Sequence, residues 1–225
     1  MISRYDWAGG REAMLRFGPA EGPVVVAALP LFEEANRTRA FVVTILRALA
    51  RRGIAGALPD LPGTGESLLP TRAATLADWR AAYAAAVASL AAPAYGLAIR
   101  GGALVDGEAA LSGRWHLVPA AGDAQLRELL RARSVADPQA APVDPDAEGP
   151  AVELAGNLVS RTLLRELEAA KPLPARTIRF ETDARPADLK LPGSPLWRRA
   201  EPGNDAGLAA LLADDIAAWV RACEG

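Results

Sequence analysis

Two kinds of apolar pattern alternate along the chain. Val24–Leu29, Ile54–Leu58 and Tyr95–Ile99 are short, continuous apolar runs, and such runs predict strands that are covered on both faces. Between them, Asn36–Arg52, with Asn36 as a candidate N-cap, and Leu76–Leu90 carry apolar residues at helical spacing. This alternation predicts right-handed crossovers in a parallel sheet.

The pattern extends to both ends of the chain. Ile2–Trp7 and Glu12–Phe17, separated by Ala8-Gly9-Gly10, predict a hairpin. The later predicted strands are Trp115–Val118, Thr177–Glu181 and Pro195–Arg198, and the later predicted helices are Gly102–Leu111, Ala124–Val135, Val152–Ala169 and Leu208–Val220. The count gives an α/β fold with a mostly parallel sheet of eight strands.

Two helices in succession interrupt the alternation after residue 118. They predict a small helical cap, about residues 121–173, inserted into a single domain that spans residues 1–225. The stretch Asp137–Pro150 between them is rich in Asp, Pro and Ala, which predicts a mobile linker. The leucines of the cap either pack its helices onto the domain or line an apolar channel.

Composition narrows the classes of partner and compartment. The 225 residues are 51% hydrophobic, enough for one substantial core. A net charge of −2 gives no support for nucleic-acid binding. Cys223 is the only cysteine, so no intrachain disulfide or thiolate metal site is expected. With neither an apolar leader nor a convincing transmembrane segment, the predicted location is the cytoplasm.

The turn Ala98-Ile99-Arg100-Gly101-Gly102 follows the predicted central strand and leads towards a predicted helix. In a strand–turn–helix hydrolase, the sequence Gly-x-Ser-x-Gly places the nucleophilic serine at such a turn. The residue at the apex is Arg100, and a guanidinium is not a nucleophile. The central question is therefore which role an arginine has there.

Three stretches together resemble one family, the exosortase A system-associated hydrolases of the type 2 group. Leu29–Arg39 is similar to that group's P-P-F-x-E-E-x-N-K-x-R, and Pro59–Ser67 to D-L-x-G-x-G-x-S. Ala98–Leu104 is similar to G-x-R-x-G-A-L, and Val118–Arg133 also matches the group. The resemblance implies an α/β-hydrolase fold and a bacterial exopolysaccharide context. The sequence departs from the group at Ala98, where glycine is usual, and at Gly101, where leucine is common.

A Ser-His-acid triad is not expected. The triad needs a histidine after the last strand of this fold, and the only histidine, His116, lies just after the turn instead. His116 is interpreted as a partly buried strand residue, Ser67 as a turn residue, and Asp183 as an acid with no imidazole to orient. No catalytic residue, cofactor or metal site is predicted.

Two roles for Arg100 stay open. In the first, Arg100 pairs with Glu33 or Glu34 and plugs a vestigial active site. In the second, Arg100 and the amides of the turn, including that of Gly101, bind an anionic ligand that Glu33, Glu34 and Asn36 orient.

The sequence therefore predicts a catalytically degenerate hydrolase-like protein. Its expected partner is a small anionic or acyl-bearing molecule, or a protein of an exopolysaccharide system. An active esterase or acyltransferase-like enzyme with a non-triad mechanism is the alternative, and a scaffold that acts through its surface is a third possibility.

Overall fold

The computed structural model describes residues 1–225. It contains ten strands, five α-helices and four short 3-10 helices. The strands are β1 Ile2–Trp7, β2 Gly10–Phe17, β3 Val24–Ala28, β4 Ala55–Pro59, β5 Ala94–Ile99, β6 Gly113–Leu117, β7 Val152–Leu154, β8 Asn157–Val159, β9 Arg176–Phe180 and β10 Leu189–Leu191. The α-helices are α1 Glu33–Arg51, α2 Leu76–Ala88, α3 Gly122–Ala136, α4 Arg161–Ala169 and α5 Ala206–Glu224.

Eight of the strands form one sheet, in the order β1-β2-β4-β3-β5-β6-β9-β10. The pairs β1–β2 and β2–β4 are antiparallel, and every other neighbouring pair is parallel. All five residues of β3 and all six of β5 are buried, as their continuous apolar runs predict. The prediction of a mostly parallel, eight-stranded sheet is confirmed.

Helices cover both faces of this sheet. One apolar cluster of 30 buried residues holds Trp79 and Tyr83 of α2 together with the buried leucines of α3 and α4. A second cluster of 27 buried residues holds Phe41 of α1, Trp115 of β6 and Ile216 of α5. The carboxyl ends of β3 and β5 meet between these two clusters, and the central turn lies there.

The prediction of a helix over Gly102–Leu111 is wrong. Two short 3-10 helices, Arg100–Leu104 and Asp106–Glu108, occupy this stretch. The glycines at 101, 102 and 107 disfavour an α-helix, and each costs about 1 kcal/mol relative to alanine. No α-helical dipole therefore points at Arg100 from this segment, which removes that part of the argument for an anion at the turn.

The prediction of a helix over Val152–Ala169 is wrong in its first part, residues 152–159. This part is a hairpin of β7 and β8, joined at Ala155-Gly156, and both turn residues have positive φ angles, 49° and 73°. A glycine at such a position favours a tight reversal. Ser160 then caps α4 by accepting a hydrogen bond from the Leu163 backbone N–H at 3.1 Å.

Two smaller expectations near the ends of elements are corrected. Pro195–Arg198 is not a strand, since residues 196–198 form a 3-10 helix and the last strand of the sheet is β10. Asn36 does not cap α1, because the helix begins at Glu33 and Asn36 lies inside its first turn. The stretch 137–150 contains no helix or strand. No helix of the protein combines the length and the apolar character needed to cross a membrane.

Candidate functional site

The central turn has the geometry of a sharp strand-to-helix elbow. Arg100 directly follows β5 and has a φ angle of 55°, a conformation that is uncommon for residues other than glycine. A Cβ on Gly102 would lie 2.5 Å from the carbonyl oxygens of Ala28 and Leu29. The elbow therefore packs directly on the end of β3, and that contact requires glycine at position 102.

Two carboxylates from different elements hold the Arg100 guanidinium. Nε donates to Glu34 Oε2 at 3.4 Å and Nη2 to Glu34 Oε1 at 3.3 Å. Nη2 also donates to Glu128 Oε2 at 2.5 Å. The guanidinium carbon lies 5.5 Å from the centre of the Trp197 ring. Arg100 is only 5% exposed, so α1, the cap helix α3 and the 196–198 turn together enclose it.

The charges around Arg100 are unequal. Two glutamates face one guanidinium, and burial raises the pKa of Glu34, with the neighbouring Glu128 adding to the increase while Arg100 opposes it. The side chain of Glu128 is 46% exposed, whereas that of Glu34 is 14% exposed. Glu128 is therefore the more solvent-accessible of the two carboxylate partners of Arg100.

The predicted site residues separate into two groups. Glu34 lies against Arg100, and Gly101 follows it in the elbow, where a Cβ would lie 2.8 Å from Leu31 Cγ. Glu33 instead lies 3.2 Å from Arg37, one helical turn along α1, and is exposed. Asn36 faces a different cavity, one that Arg100 does not line.

A cavity of about 280 Å³ lies against Arg100. Two further arginines line it, Arg185 and Arg198, together with one carboxylate, Asp183. Asp183 lies 2.7 Å from Arg185 and 3.1 Å from Arg179. Hydrogen bonds from Arg185 hold the pKa of Asp183 well below its usual range. The cavity therefore presents arginine side chains in excess of carboxylates.

Sequence reasoning did not single out Arg185 and Arg198, which line this cavity. Both follow late strands of the sheet, and ligand sites of open α/β sheets lie at the carboxyl ends of the strands. Asp183 was placed at this edge by sequence reasoning, as an acid with nothing to orient. In the structure its carboxylate is engaged by arginines.

His116 is buried in β6 and pairs with a residue that sequence reasoning missed. Its Nε2 lies 2.8 Å from Asp106 Oδ2, and the two residues are 1% and 0% exposed. Asp106 comes from the second 3-10 helix after the elbow, close to Tyr83 of α2. His116 is a strand residue, as expected, and it is more deeply buried than the partial burial expected from the sequence.

Ser67 is a turn residue, as expected. Its Oγ donates to Glu12 Oε1 at 3.0 Å and accepts hydrogen bonds from the backbone N–H groups of Gly63 and Leu69. These three contacts use the hydroxyl to order the loop after β4.

In the cap, Leu126, Leu163 and Leu164 are buried, which favours packing of the cap helices onto the domain over an apolar channel. No group of three or more His, Cys, Asp and Glu side chains is placed to hold a metal ion.

Comparisons with known proteins identify the fold. No family model matches the chain, and no curated protein matches it. The solved structure of Est1E from Butyrivibrio proteoclasticus with bound ferulic acid is similar, with a TM-score of 0.62, 12% identity and coverage of 97% of both chains. A protein from Burkholderia cenocepacia assigned as an aryl esterase gives a TM-score of 0.56, 13% identity and 99% coverage of both chains.

A protein from Agrobacterium vitis assigned as a hydrolase gives a TM-score of 0.53 and 15% identity, and the match covers 99% of this chain and 97% of that one. An epoxide hydrolase from Vigna radiata is matched over 52% of this chain and 39% of its own length, with a TM-score of 0.42. The first three likenesses and the sheet order show that this chain has the α/β-hydrolase fold. Identities this low show the fold and nothing about activity.

Proposed function

We propose that this protein is a catalytically degenerate α/β-hydrolase that binds a small anionic or acyl-bearing molecule beside the elbow instead of hydrolysing an ester. The observation that carries the proposal is Arg100 itself. It occupies the apex of the elbow with a φ angle of 55°, the place at which this fold presents a nucleophile. Its guanidinium is engaged by Glu34 and Glu128 and cannot attack a carbonyl carbon.

The two side chains that could serve as the histidine and the acid of a triad are also paired with other residues. His116 is the only histidine of the chain, and it is buried against Asp106. Asp183 is held by Arg179 and Arg185. With these partners, neither group is available to move a proton from a nucleophile at the elbow, and general-base catalysis of the triad type has no residue to perform it.

The arginine-lined cavity supports an anion as the ligand. Arg100, Arg185 and Arg198 face it, and the one carboxylate there, Asp183, is paired with Arg185. No ion pair or side-chain hydrogen bond engages the exposed guanidinium of Arg198, whereas planar, bidentate binding of carboxylate or phosphate is the contact that arginine makes best. A carboxylate or phosphate group at this position also takes over part of the pairing that Glu128 gives Arg100.

The wider context is proposed from sequence resemblance. The motifs at Leu29–Arg39, Pro59–Ser67 and Ala98–Leu104 resemble those of the exosortase A system-associated type 2 group, so we place the protein in a bacterial exopolysaccharide system. We further propose that residues 1–225 act as a single domain whose cap, about residues 121–173, closes over the elbow through Glu128.

Ligand binding is tested with acetate, octanoate and inorganic phosphate, by calorimetry and thermal shift. We expect at least one of these anions to raise the melting temperature, and Arg198→Ala to weaken its binding about tenfold or more, the equivalent of one charge-assisted contact. Arg199→Ala is the matched control, because Arg199 is exposed beside Arg198 but does not line the cavity. If Arg198→Ala and Arg199→Ala bind the anion with equal affinity, the result contradicts the proposed site.

Hydrolysis is tested separately with short-chain p-nitrophenyl esters. We expect no turnover above that of buffer, in the parent protein or in Arg100→Ser, because no histidine lies beside the elbow to activate the new hydroxyl. Robust turnover by the parent that Arg100→Ala abolishes establishes the esterase alternative instead. If none of the anions changes the melting temperature and a partner protein is recovered by pull-down, the scaffold function is supported.

A further inference from the structure

The two edges of the main sheet differ in how they are protected against pairing with another chain. β10 has three residues and carries Lys190 at its centre, and short length and lysine are two features by which natural edge strands avoid such pairing. β1 forms the opposite edge with six residues in continuous register with β2, and it contains neither proline nor lysine. The β1 edge is therefore the one that can accept a further strand.

Hydrogen bonding within the hairpin shows which backbone groups of β1 are unused. The Arg16 N–H donates to the Met1 carbonyl at 2.8 Å, and the Met1 amino group donates to the Arg16 carbonyl at 3.0 Å, so the two residues form a hydrogen-bonded pair. Such pairs alternate along an antiparallel ladder, so Tyr5 also directs its backbone groups towards β2. The N–H and C=O groups of Arg4 and Asp6 point away from β2 and reach no other strand of the sheet.

The side chains of Arg4 and Asp6 are exposed and carry opposite charges. Arg4 makes no ion pair, and the Asp6 side chain is 79% exposed. The one ion pair of Asp6 is with Arg11 of β2, at 3.3 Å, and the Arg11 side chain is itself 62% exposed. Tyr5 points to the opposite face of the hairpin and is buried in the same apolar cluster as Trp79 of α2. The edge thus presents one positive and one negative side chain, two residues apart on one face.

Only residues with unused backbone groups can bond across this edge, which leaves few two-fold registers for a second, antiparallel copy of β1. A register centred on Arg4 places two guanidinium groups together, and one centred on Asp6 places two carboxylates together. A register centred on Ser3 puts Arg4 opposite Ile2, without charge pairing. In the register centred on Tyr5, Arg4 of each copy lies opposite Asp6 of the other. Opposite charges directly across an antiparallel pair stabilise it and like charges destabilise it, so this register is favoured.

The helix that packs against β1 is α2. From residue 81 to its end, the positions of this helix that are not buried are all alanines, at 81, 84, 85 and 88. Arg80, in the preceding turn, is tied to the protein, because its Nε donates to the Leu104 carbonyl at 2.9 Å. The last two turns of α2 therefore place no long or charged side chain in the way of a neighbouring molecule.

We propose that a second copy of this chain pairs with β1 across a two-fold axis, antiparallel and centred on Tyr5, so that the two eight-stranded sheets become one. The backbone groups of Arg4 bond those of Asp6 in the other copy, and the guanidinium faces that carboxylate. Arg11 flanks the same carboxylate from β2. The contact uses the same strand in both copies and occupies both β1 edges, so assembly stops at a dimer. It involves no residue of the elbow or of the proposed anion site.

Sedimentation and amide hydrogen exchange of the full chain, without an N-terminal tag, test for this dimer. We expect a monomer–dimer equilibrium that depends on concentration, in which the amides of Arg4 and Asp6 are protected only where the dimer predominates. The Tyr5 amide is bonded to β2 and is expected to be protected in both states. A protein that stays monomeric at its highest soluble concentration overturns the proposal. So does a dimer in which the amides of Arg4 and Asp6 exchange as fast as in the monomer.

Charge reversal tests the register. Arg4→Glu faces Asp6 of the other copy with a like charge, and the two-fold axis repeats the change, so we expect dimerisation to weaken about tenfold or more. Adding Asp6→Arg and Arg11→Glu reverses every charge, keeps the ion pair within the hairpin and retains the net charge of the single variant. This triple variant is expected to dimerise as the parent does. Arg47→Glu, the same change at an exposed position of α1, is the control and is expected to have no effect. A triple variant that dimerises no better than Arg4→Glu overturns the proposed pairing.

Discussion

Arg100 and Glu128 join the elbow to the cap. Nη2 of Arg100 donates to Glu128 Oε2 at 2.5 Å, and the two residues belong to segments that do not share a strand pair or a helix. Glu34 of α1 holds the other side of the same guanidinium. One arginine thus connects the sheet, α1 and the cap. At the position where a hydrolase of this fold presents a nucleophile, this protein has a buried arginine paired with two glutamates.

The two carboxylates are expected to contribute unequally to stability. Glu34→Ala removes the more buried partner and leaves the guanidinium with one carboxylate, so we expect the free energy of unfolding to fall by about 1–3 kcal/mol. Glu128→Ala removes a half-exposed partner and is expected to cost less than about 1 kcal/mol. Equilibrium urea denaturation measures both. Glu33→Ala is the control, since its exposed pair with Arg37 is worth less still.

The raised pKa of Glu34 predicts a pH dependence of stability with a definite sign. Burial raises this pKa above its ordinary value of 4.5, so the folded protein retains a proton that the unfolded chain has lost. The contribution of protonated Glu34 to the free energy of unfolding is fully present below pH 4.5, and it is lost as the pH rises through the pKa of Glu34 in the folded state. Relative to Glu34→Gln, the parent protein is therefore expected to lose stability from pH 4 to pH 7, measured by urea denaturation at each pH. A parent protein that gains stability relative to Glu34→Gln as the pH rises over this range contradicts the raised pKa.

The positions of the central strands could be predicted because each of these strands is a continuous run of apolar residues. Val24–Ala28 and Ala94–Ile99 are buried on both faces, and no helical period competes with that pattern. The hairpin of β7 and β8 was missed because each strand has only three residues. The only local signal was the glycine at 156, and the leucines at 154 and 158 also fit a helical period.

The site was predictable only as far as neighbouring strands placed it. The loop after β3 adjoins the elbow in a parallel sheet, so an acidic partner for Arg100 was expected from Glu33 or Glu34. Helix geometry decides between them, because residues one apart on α1 point about 100° apart and Glu33 faces Arg37 at i+4. Glu128 lies on α3 and contacts Arg100 from a segment inserted between two strands of the sheet. The spacing of apolar residues along the chain predicts helices and strands but not a contact of this kind.

The buried pair of His116 and Asp106 is expected to be structural. Asp106→Ala leaves His116 Nε2 without its acceptor in a site that is closed to water, so we expect a loss of at least about 2 kcal/mol in unfolding free energy. Asp106→Asn keeps an oxygen acceptor and is expected to cost less. The exposed Glu108, on the same 3-10 helix, supplies the control Glu108→Ala. Anion binding by Asp106→Asn that differs from the parent's contradicts a purely structural role.

The elbow also predicts a contrast between two glycines. Gly102→Ala places a Cβ 2.5 Å from the carbonyl oxygens of Ala28 and Leu29, and backbone atoms at the end of a central strand have little freedom to move away. Gly107→Ala meets only Leu173 Cδ1, at 3.9 Å, an ordinary contact. Neither glycine has a positive φ angle, so the contrast isolates packing from backbone strain. We expect Gly102→Ala to cost about 3 kcal/mol or more and Gly107→Ala to stay within about 1 kcal/mol. Equal stability of the two variants in thermal unfolding contradicts the close packing of the elbow on β3.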